Sequence, residues 1–192
     1  RLIIPLKVLF TTLITMTNTW VTSDTHFNDV NILRYRCTET DNPTRPEFAN
    51  TQDMDEHIIN CWNSVVKTGD TVYHLGDVVM GKDKLDWMNN NWSRLRGSKI
   101  LIVGNHDNIK FLTSFNWFDK VLYWENLISY GLLLTHAPVH PRTLREDRYK
   151  GQDMINIHGH LHTNRSPGLD YINVCVEVND YTPISLEELR IR

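Results

Sequence analysis

Five apolar runs of this chain stop at the same kind of residue, and that repetition constrains the fold more than any other feature. The runs end in Ser23-Asp24-Thr25-His26, Leu75-Gly76-Asp77, Val103-Gly104-Asn105-His106-Asp107, Thr135-His136 and His158-Gly159-His160-Leu161-His162. Each run is short and rich in β-branched residues or leucine, which reads as a strand. Helix-like stretches alternate with them, the pattern of an α/β domain. Singly, each polar cluster is an ordinary turn. Together they supply ligands enough for two divalent cations.

The elements between the clusters are legible in the same way. Expected strands are Thr19–Thr22, Thr71–Leu75, Lys99–Val103, Lys120–Tyr123, Leu132–Thr135, Met154–His158 and Tyr171–Val176. A helix is expected at Thr51–Lys67, capped by Thr51, with Asp53, Asp55 and Glu56 at its positive end. Its inward face would be Met54, Ile58, Trp62 and Val65. A second helix is expected over Lys82–Leu95 with Leu85, Met88, Trp92 and Leu95 inward. Ser185-Leu186-Glu187-Glu188 is a capping box that opens a last short helix. Arg36–Asn50, with Pro43 and Pro46, and Pro138–Gln152 read as loops.

Of the 192 residues, 41% are hydrophobic, enough for a substantial core. A formal net charge of -3 gives no global pull toward nucleic acid or anionic membrane. Three widely spaced cysteines, Cys37, Cys61 and Cys175, suggest no disulfide framework and favour a reducing cytoplasm. The opening stretch Arg1 to Thr15 is basic and apolar but broken by Pro5 and Lys7. It is too short to span a bilayer, and no small-x-small cleavage site follows it. The expectation is one domain over residues 16–192 that starts at Met16, with residues 1–15 a non-native or unstructured extension.

Residue chemistry narrows the site. Asp24 and His26, two apart, reach the same side of an extended segment. The two oxygens of Asp77 can bridge two ions, and Gly76 lets the backbone turn tightly beside them. Asn105 offers a neutral carbonyl oxygen, while His106 is free to move protons. His136, His158, His160 and His162 add imidazoles. Mixed carboxylate, amide and imidazole donors suit Mn, Fe, Zn, Co or Ni better than Ca.

Together the five motifs resemble the calcineurin-like metallophosphoesterase superfamily, in family order from Asp24 to His162. The flanking Ser23-Asp24-Thr25-His26-Phe27, Tyr73-His74-Leu75-Gly76-Asp77-Val78 and Val178-Asn179-Asp180-Tyr181-Thr182-Pro183-Ile184 resemble a small bacterial and phage single-domain branch. The resemblance implies a four-layer α-β-β-α sandwich with two mixed β-sheets and the site at the strand ends. It implies that Asp24, His26, Asp77 and His162 hold one metal. Asp77, Asn105, His136 and His160 would hold the other, with Asp77 as the bridge and His158 as support. Mn2+ is the first choice, with Fe, Zn, Ni or Co as the others.

The mechanism implied is hydrolysis of a phosphoester, in which a hydroxide shared by the ions attacks phosphorus in line. His106 would be the general acid, oriented by Asp107, with Asn105, His106 and Arg142 touching substrate. One departure stands out: where this branch carries a second histidine after His26, the chain has Asp29, which would change the outer rim. The expected partner is a small or exposed phosphoester, with a lean to diesters. Nucleic acid is the alternative substrate, and a non-catalytic protein-binding relative the alternative class. No membrane partner is expected, and no oligomeric state is legible. Gly76-Asp77-Val78-Val79-Met80-Gly81 lacks the Asp-Arg pair of the protein-phosphatase subgroup.

Overall fold

A computed structural model describes residues 17–145, 151 and 153–191. The expected extension with Met16, and Arg148 and Lys150 of the expected Pro138–Gln152 loop, lie outside the described residues. Four parallel strands, β1 (Thr19–Thr22), β2 (Thr71–His74), β3 (Ser98–Ile102) and β4 (Lys120–Leu122), form most of one sheet. A short β9 (Ile184–Ser185) pairs antiparallel with β1, giving the order β4-β3-β2-β1-β9. The second sheet has the order β5-β6-β7-β8, from β5 (Trp124–Leu127), β6 (Leu132–Thr135), β7 (Ile155–His158) and β8 (Tyr171–Asn173). There β5 is antiparallel and the other three run parallel. Both sheets are therefore mixed, as expected.

Alternation along the strands builds the layers, because successive side chains point to opposite faces. Val72 of β2 and Leu101 of β3 pack outward under α1 (Thr51–Val65) and α2 (Lys84–Asn91), with Met54, Ile58, Trp62 and Met88. Val21, Leu75 and Ile102 face the second sheet and meet Leu132, Leu134, Ile157 and Val174 in a shared core. The other face of the second sheet presents Leu133 and Tyr171, covered by Leu144 of a 3-10 turn over Pro141–Leu144. The fourth layer among the described residues is thus thin. Two further short helices are α3 (Ile109–Leu112) and α4 (Leu186–Ile191).

Several boundaries differ from expectation for local reasons. The cap of α1 is Asn50, not Thr51: Asn50 is extended (φ -150°) and its side chain accepts the Asp53 amide at 2.8 Å. The helix ends at Val65 because Val66 turns to extended backbone. Only Lys84–Asn91 of the second helix is α-helical, and a 3-10 turn, Trp92–Arg94, completes it. Met88, Trp92 and Leu95 are buried as expected, but Leu85, in the first turn, is 40% exposed and Trp87 is buried instead. The Ser185 cap expected for the last helix is formed, with Ser185 Oγ accepting the Glu188 amide.

Parallel pairing has the consequence that matters. The carboxyl ends of β1, β2 and β3 point the same way, as do those of β6 and β7, so the loops leaving both sheets meet at one edge.

Candidate metal centre

At that edge the backbone is bent out of its ordinary range. Asp24, His26, Asp77, His160 and His162 all have positive φ, between 47° and 68°. Non-glycine residues seldom hold this conformation, and where they do the surroundings over-determine it. Here the loops brace one another: Asp24 N–H donates to Gly76 O at 3.0 Å and His26 N–H to Asp77 O at 3.0 Å. Two glycines let the loops close in. A Cβ on Gly104 would collide with the Asp77 carboxylate, and one on Gly159 with the Asp24 carboxylate and Ser23.

The expected ligands come together in two groups that share Asp77. In the first, Asp24 Oδ1 lies 4.0 Å from His26 Nε2 and 3.9 Å from His162 Nε2, and Asp77 Oδ2 lies 3.7 Å from His26 Nε2. In the second, Asn105 Oδ1 lies 2.7 Å from His136 Nε2 and 2.8 Å from His160 Nδ1, and His136 Nε2 lies 3.4 Å from Asp77 Oδ2. The remaining oxygens are already used. Asp24 Oδ2 accepts from Ser23 Oγ, His160 N and Cys175 Sγ, and Asp77 Oδ1 accepts the His106 amide.

Proton positions test whether a metal fits. His26 Nδ1 faces Asp29 Oδ2 at 2.9 Å, His136 Nδ1 faces Leu75 O at 2.7 Å, and His162 Nδ1 faces Glu177 Oε1 at 2.9 Å. A carbonyl or an ionised carboxylate can only accept, so each Nδ1 carries a proton and each neutral ring turns an Nε2 lone pair inward. Inward, those lone pairs meet more acceptors, the carboxylates of Asp24 and Asp77 and the carbonyl of Asn105. Acceptors aimed at one another repel unless positive charge sits among them. Asp24 Oδ1 and His26 Nε2 are buried with no hydrogen-bond partner at all. The donor set fits divalent cations, and the second nitrogen of each ring is held as metal-binding histidines require. At His136 burial opposes a proton on the ring, yet Asp77 and Asp24 raise its pKa to about 9.

Several residues play parts that the sequence did not disclose. Arg45, in the proline-containing loop, is fully buried and donates to the Asp24 and Thr25 carbonyls at 2.6 and 2.9 Å. It also meets Glu177 Oε1 at 2.7 Å. Burial alone would raise the Glu177 carboxyl; Arg45 and His162 hold it at about 2. Asp55 of α1 accepts the Asn28 amide and Trp87 Nε1 behind the first loop, and burial raises its carboxyl to about 7. Asp29 is not a free rim group, because it anchors His26 and accepts the Asn31 amide. The only early signal was its place three residues after His26.

Two expected roles are corrected. Asp107 does not orient the His106 ring. Its oxygens accept the backbone amides of Asp77, Val78 and Gly104 at 2.8–3.0 Å, which ties the Asp77 loop to the Asn105 loop. Arg142 is exposed on the 3-10 turn and does not line the cavity beside the centre. The cation at that cavity is Arg165. His158 turns away, to Gly159 O and Ser166 Oγ, and His74 bonds Thr25 beneath the first loop. His106 stands at the cavity, its ring edge-on to His26 at 5.7 Å, and no described residue hydrogen-bonds that ring.

The cavity is about 520 Å³. His26, Asp77, His106, His160 and His162 form its floor, and Tyr35 and Leu161 stand in its wall.

Comparison with known proteins agrees with this geometry. An uncharacterized protein of Methanocaldococcus jannaschii is 36% identical over 179 residues, covering 90% of this chain and 89% of that one. The Gene 66 protein of Mycobacterium phage L5 is 30% identical, covering 77% and 79%. The crystal structure of a protein of unknown function from Aquifex aeolicus superposes with a TM-score of 0.67 at 31% identity, over 91% of this chain and 98% of that one. Residues 17–183 match the calcineurin-like phosphoesterase family. That span includes every ligand brought together here, so the chain belongs to the calcineurin-like phosphoesterases, metal-dependent hydrolases of phosphoesters.

Proposed function

We propose that this chain hydrolyses a small or exposed phosphoester, with a preference for diesters, using two divalent transition-metal ions, Mn2+ first among them. The observation that carries the two-ion reading is the set of inward Nε2 lone pairs facing the oxygens of Asp24, Asp77 and Asn105. Asp24, His26 and His162 would hold one ion, Asn105, His136 and His160 the other, and Asp77 both.

Bound divalent ions supply Lewis-acid neutralisation of phosphoryl oxygens and activation of water near neutral pH. The protein does the rest. Asp77, its Oδ1 pinned by the His106 amide, keeps Oδ2 between the two ligand groups. His106 faces the cavity with its ring unbonded, placed to give a proton to the departing oxygen. Asn105, its Oδ1 set between His136 and His160, would serve the second ion. No serine or cysteine nucleophile is required.

The diester preference rests on what lies beyond the ions. Among the described residues, Arg165 is the one guanidinium in the cavity lining. A diester is a monoanion near pH 7, whereas a monoester approaches a dianion because its second pKa is about 6. Outside the ions there is little cationic lining to meet that second charge. We place the protein in the cytoplasm on its three free thiols. No helix among the described residues is long and apolar enough to cross a membrane.

The test is a metal-reconstituted screen of bis-p-nitrophenyl phosphate, p-nitrophenyl phosphate, cyclic nucleotides and single-stranded oligonucleotides. Turnover highest on a diester is expected. Highest turnover on oligonucleotides would favour a nuclease, and inactivity on all four with metals bound would favour a non-catalytic relative.

A further inference from the structure

Arg45 is an arginine with no solvent exposure, in a loop rather than a helix or strand. Burying a guanidinium costs several kcal/mol, and a buried ion pair seldom returns a net gain in stability. What Arg45 touches is therefore informative. Its two terminal nitrogens donate to the Asp24 and Thr25 carbonyls, in the strained loop that carries Asp24 and His26. Its Nε and Nη2 meet Glu177 Oε1 at 2.8 and 2.7 Å, and the same oxygen accepts His162 Nδ1 at 2.9 Å. Glu177 Oε2 is buried without a partner, so the carboxylate is committed to one point.

Two separate loops of the first ligand group thus meet at one guanidinium. One contains Asp24 and His26 and leaves β1; the other contains His162 and leaves β7. From this geometry we infer that Arg45 and Glu177 are a positioning pair for the ion held by Asp24, His26 and His162. The inference rests on the two-ion reading above. Glu177 sets the tautomer and tilt of the His162 ring, and Arg45 holds both Glu177 and the Asp24–Thr25 backbone in register. The second ligand group receives none of these contacts: His136 is anchored on Leu75 O, and Asn105 is held between His136 and His160. The effect should be confined to one ion.

Calorimetric titration of Mn2+ into chelator-stripped full-length protein separates the alternatives. Wild type should take up two ions. Glu177→Gln, which keeps the shape but not the charge, should weaken one step 10- to 100-fold and leave the other unchanged. Arg45→Lys, which keeps the charge but not the fork, should weaken the same step less. In Co2+-loaded protein the visible bands of one site alone should shift, a readout that a purely structural role would not move selectively. If wild type binds two ions and Glu177→Gln binds them identically, the positioning role is overturned while the metal reading stands. Equal weakening of both steps in Glu177→Gln and Arg45→Lys overturns it too, as does failure of both variants to fold without metal, because either result makes the pair merely structural. Wild-type protein that binds no Mn2+ would overturn the metal reading, and this inference with it.

Discussion

Asp107 accepts the backbone amide of Asp77 at 3.0 Å, so the residue after the expected general acid clamps the loop that carries the Asp77 carboxylate. Two more amides, of Val78 and Gly104, close on the same side chain, and burial raises its carboxyl above the usual range despite them. The neighbours His106 and Asp107 therefore divide the work: one faces the cavity, the other fixes the floor.

This division can be measured. Asp107→Ala leaves three amides without their acceptor, and it should destabilise the protein by roughly 2–4 kcal/mol. A denaturant midpoint close to wild type would show that the clamp is dispensable.

His106→Ala should keep the wild-type midpoint and both metals. Its turnover on alkyl diesters, whose leaving groups need a proton, should fall roughly 10²- to 10⁴-fold. p-Nitrophenyl esters should suffer much less. Equal losses on both substrate kinds would contradict the proton-donor role.

Asp77→Asn removes the charge that His26 and His136 share. Both ions should be lost from the variant after gel filtration, as read by elemental analysis. Retention of two tightly held metals would remove Asp77 from the bridging position.

Gly159→Ala should fail at the centre because its methyl group collides with Ser23 and the Asp24 carboxylate. Metal uptake should drop with little change in helix content by circular dichroism. Undiminished uptake would mean that the two loops sit farther apart.

Lys99, on β3, offers a pH test remote from the metals. Burial lowers its ammonium to about 8 from 10.5, with Asp119 opposing the shift. Between these values the unfolded chain binds more protons than the folded one, so this contribution to stability rises with pH across the window. It is complete above 10.5 and lost as pH falls through 8. The stability of Lys99→Met relative to wild type should therefore fall as pH rises from 7 to 10, by up to roughly 3 kcal/mol. A gap that is constant with pH would show that Lys99 is not the titrating group.

Much of the fold was legible because its elements are local. Apolar alternation located the long strands, the apolar face located α1, and the Ser185 cap located α4. The edge strands β5 and β9 were missed: Trp124–Leu127 is largely exposed and Ile184–Ser185 has two residues, so neither carries a period of its own. Leu85 was placed inward on a helix starting at Lys82, whereas the helix starts at Lys84 and Leu85 sits exposed in its first turn.

The sequence by itself marked the candidate metal donors, because each follows an apolar strand and a tight turn, and both signals lie within a few residues. It determined the family for the same reason. Only the tertiary structure decided what holds those donors in place. Arg45 reaches Glu177 across 132 positions, Asp107 reaches Asp77 across 30, and Asp29 looks like a rim residue until its bond to His26 is seen. Such contacts leave no period or spacing behind them, since a buried charge is recognised only by the partners that folding brings to it.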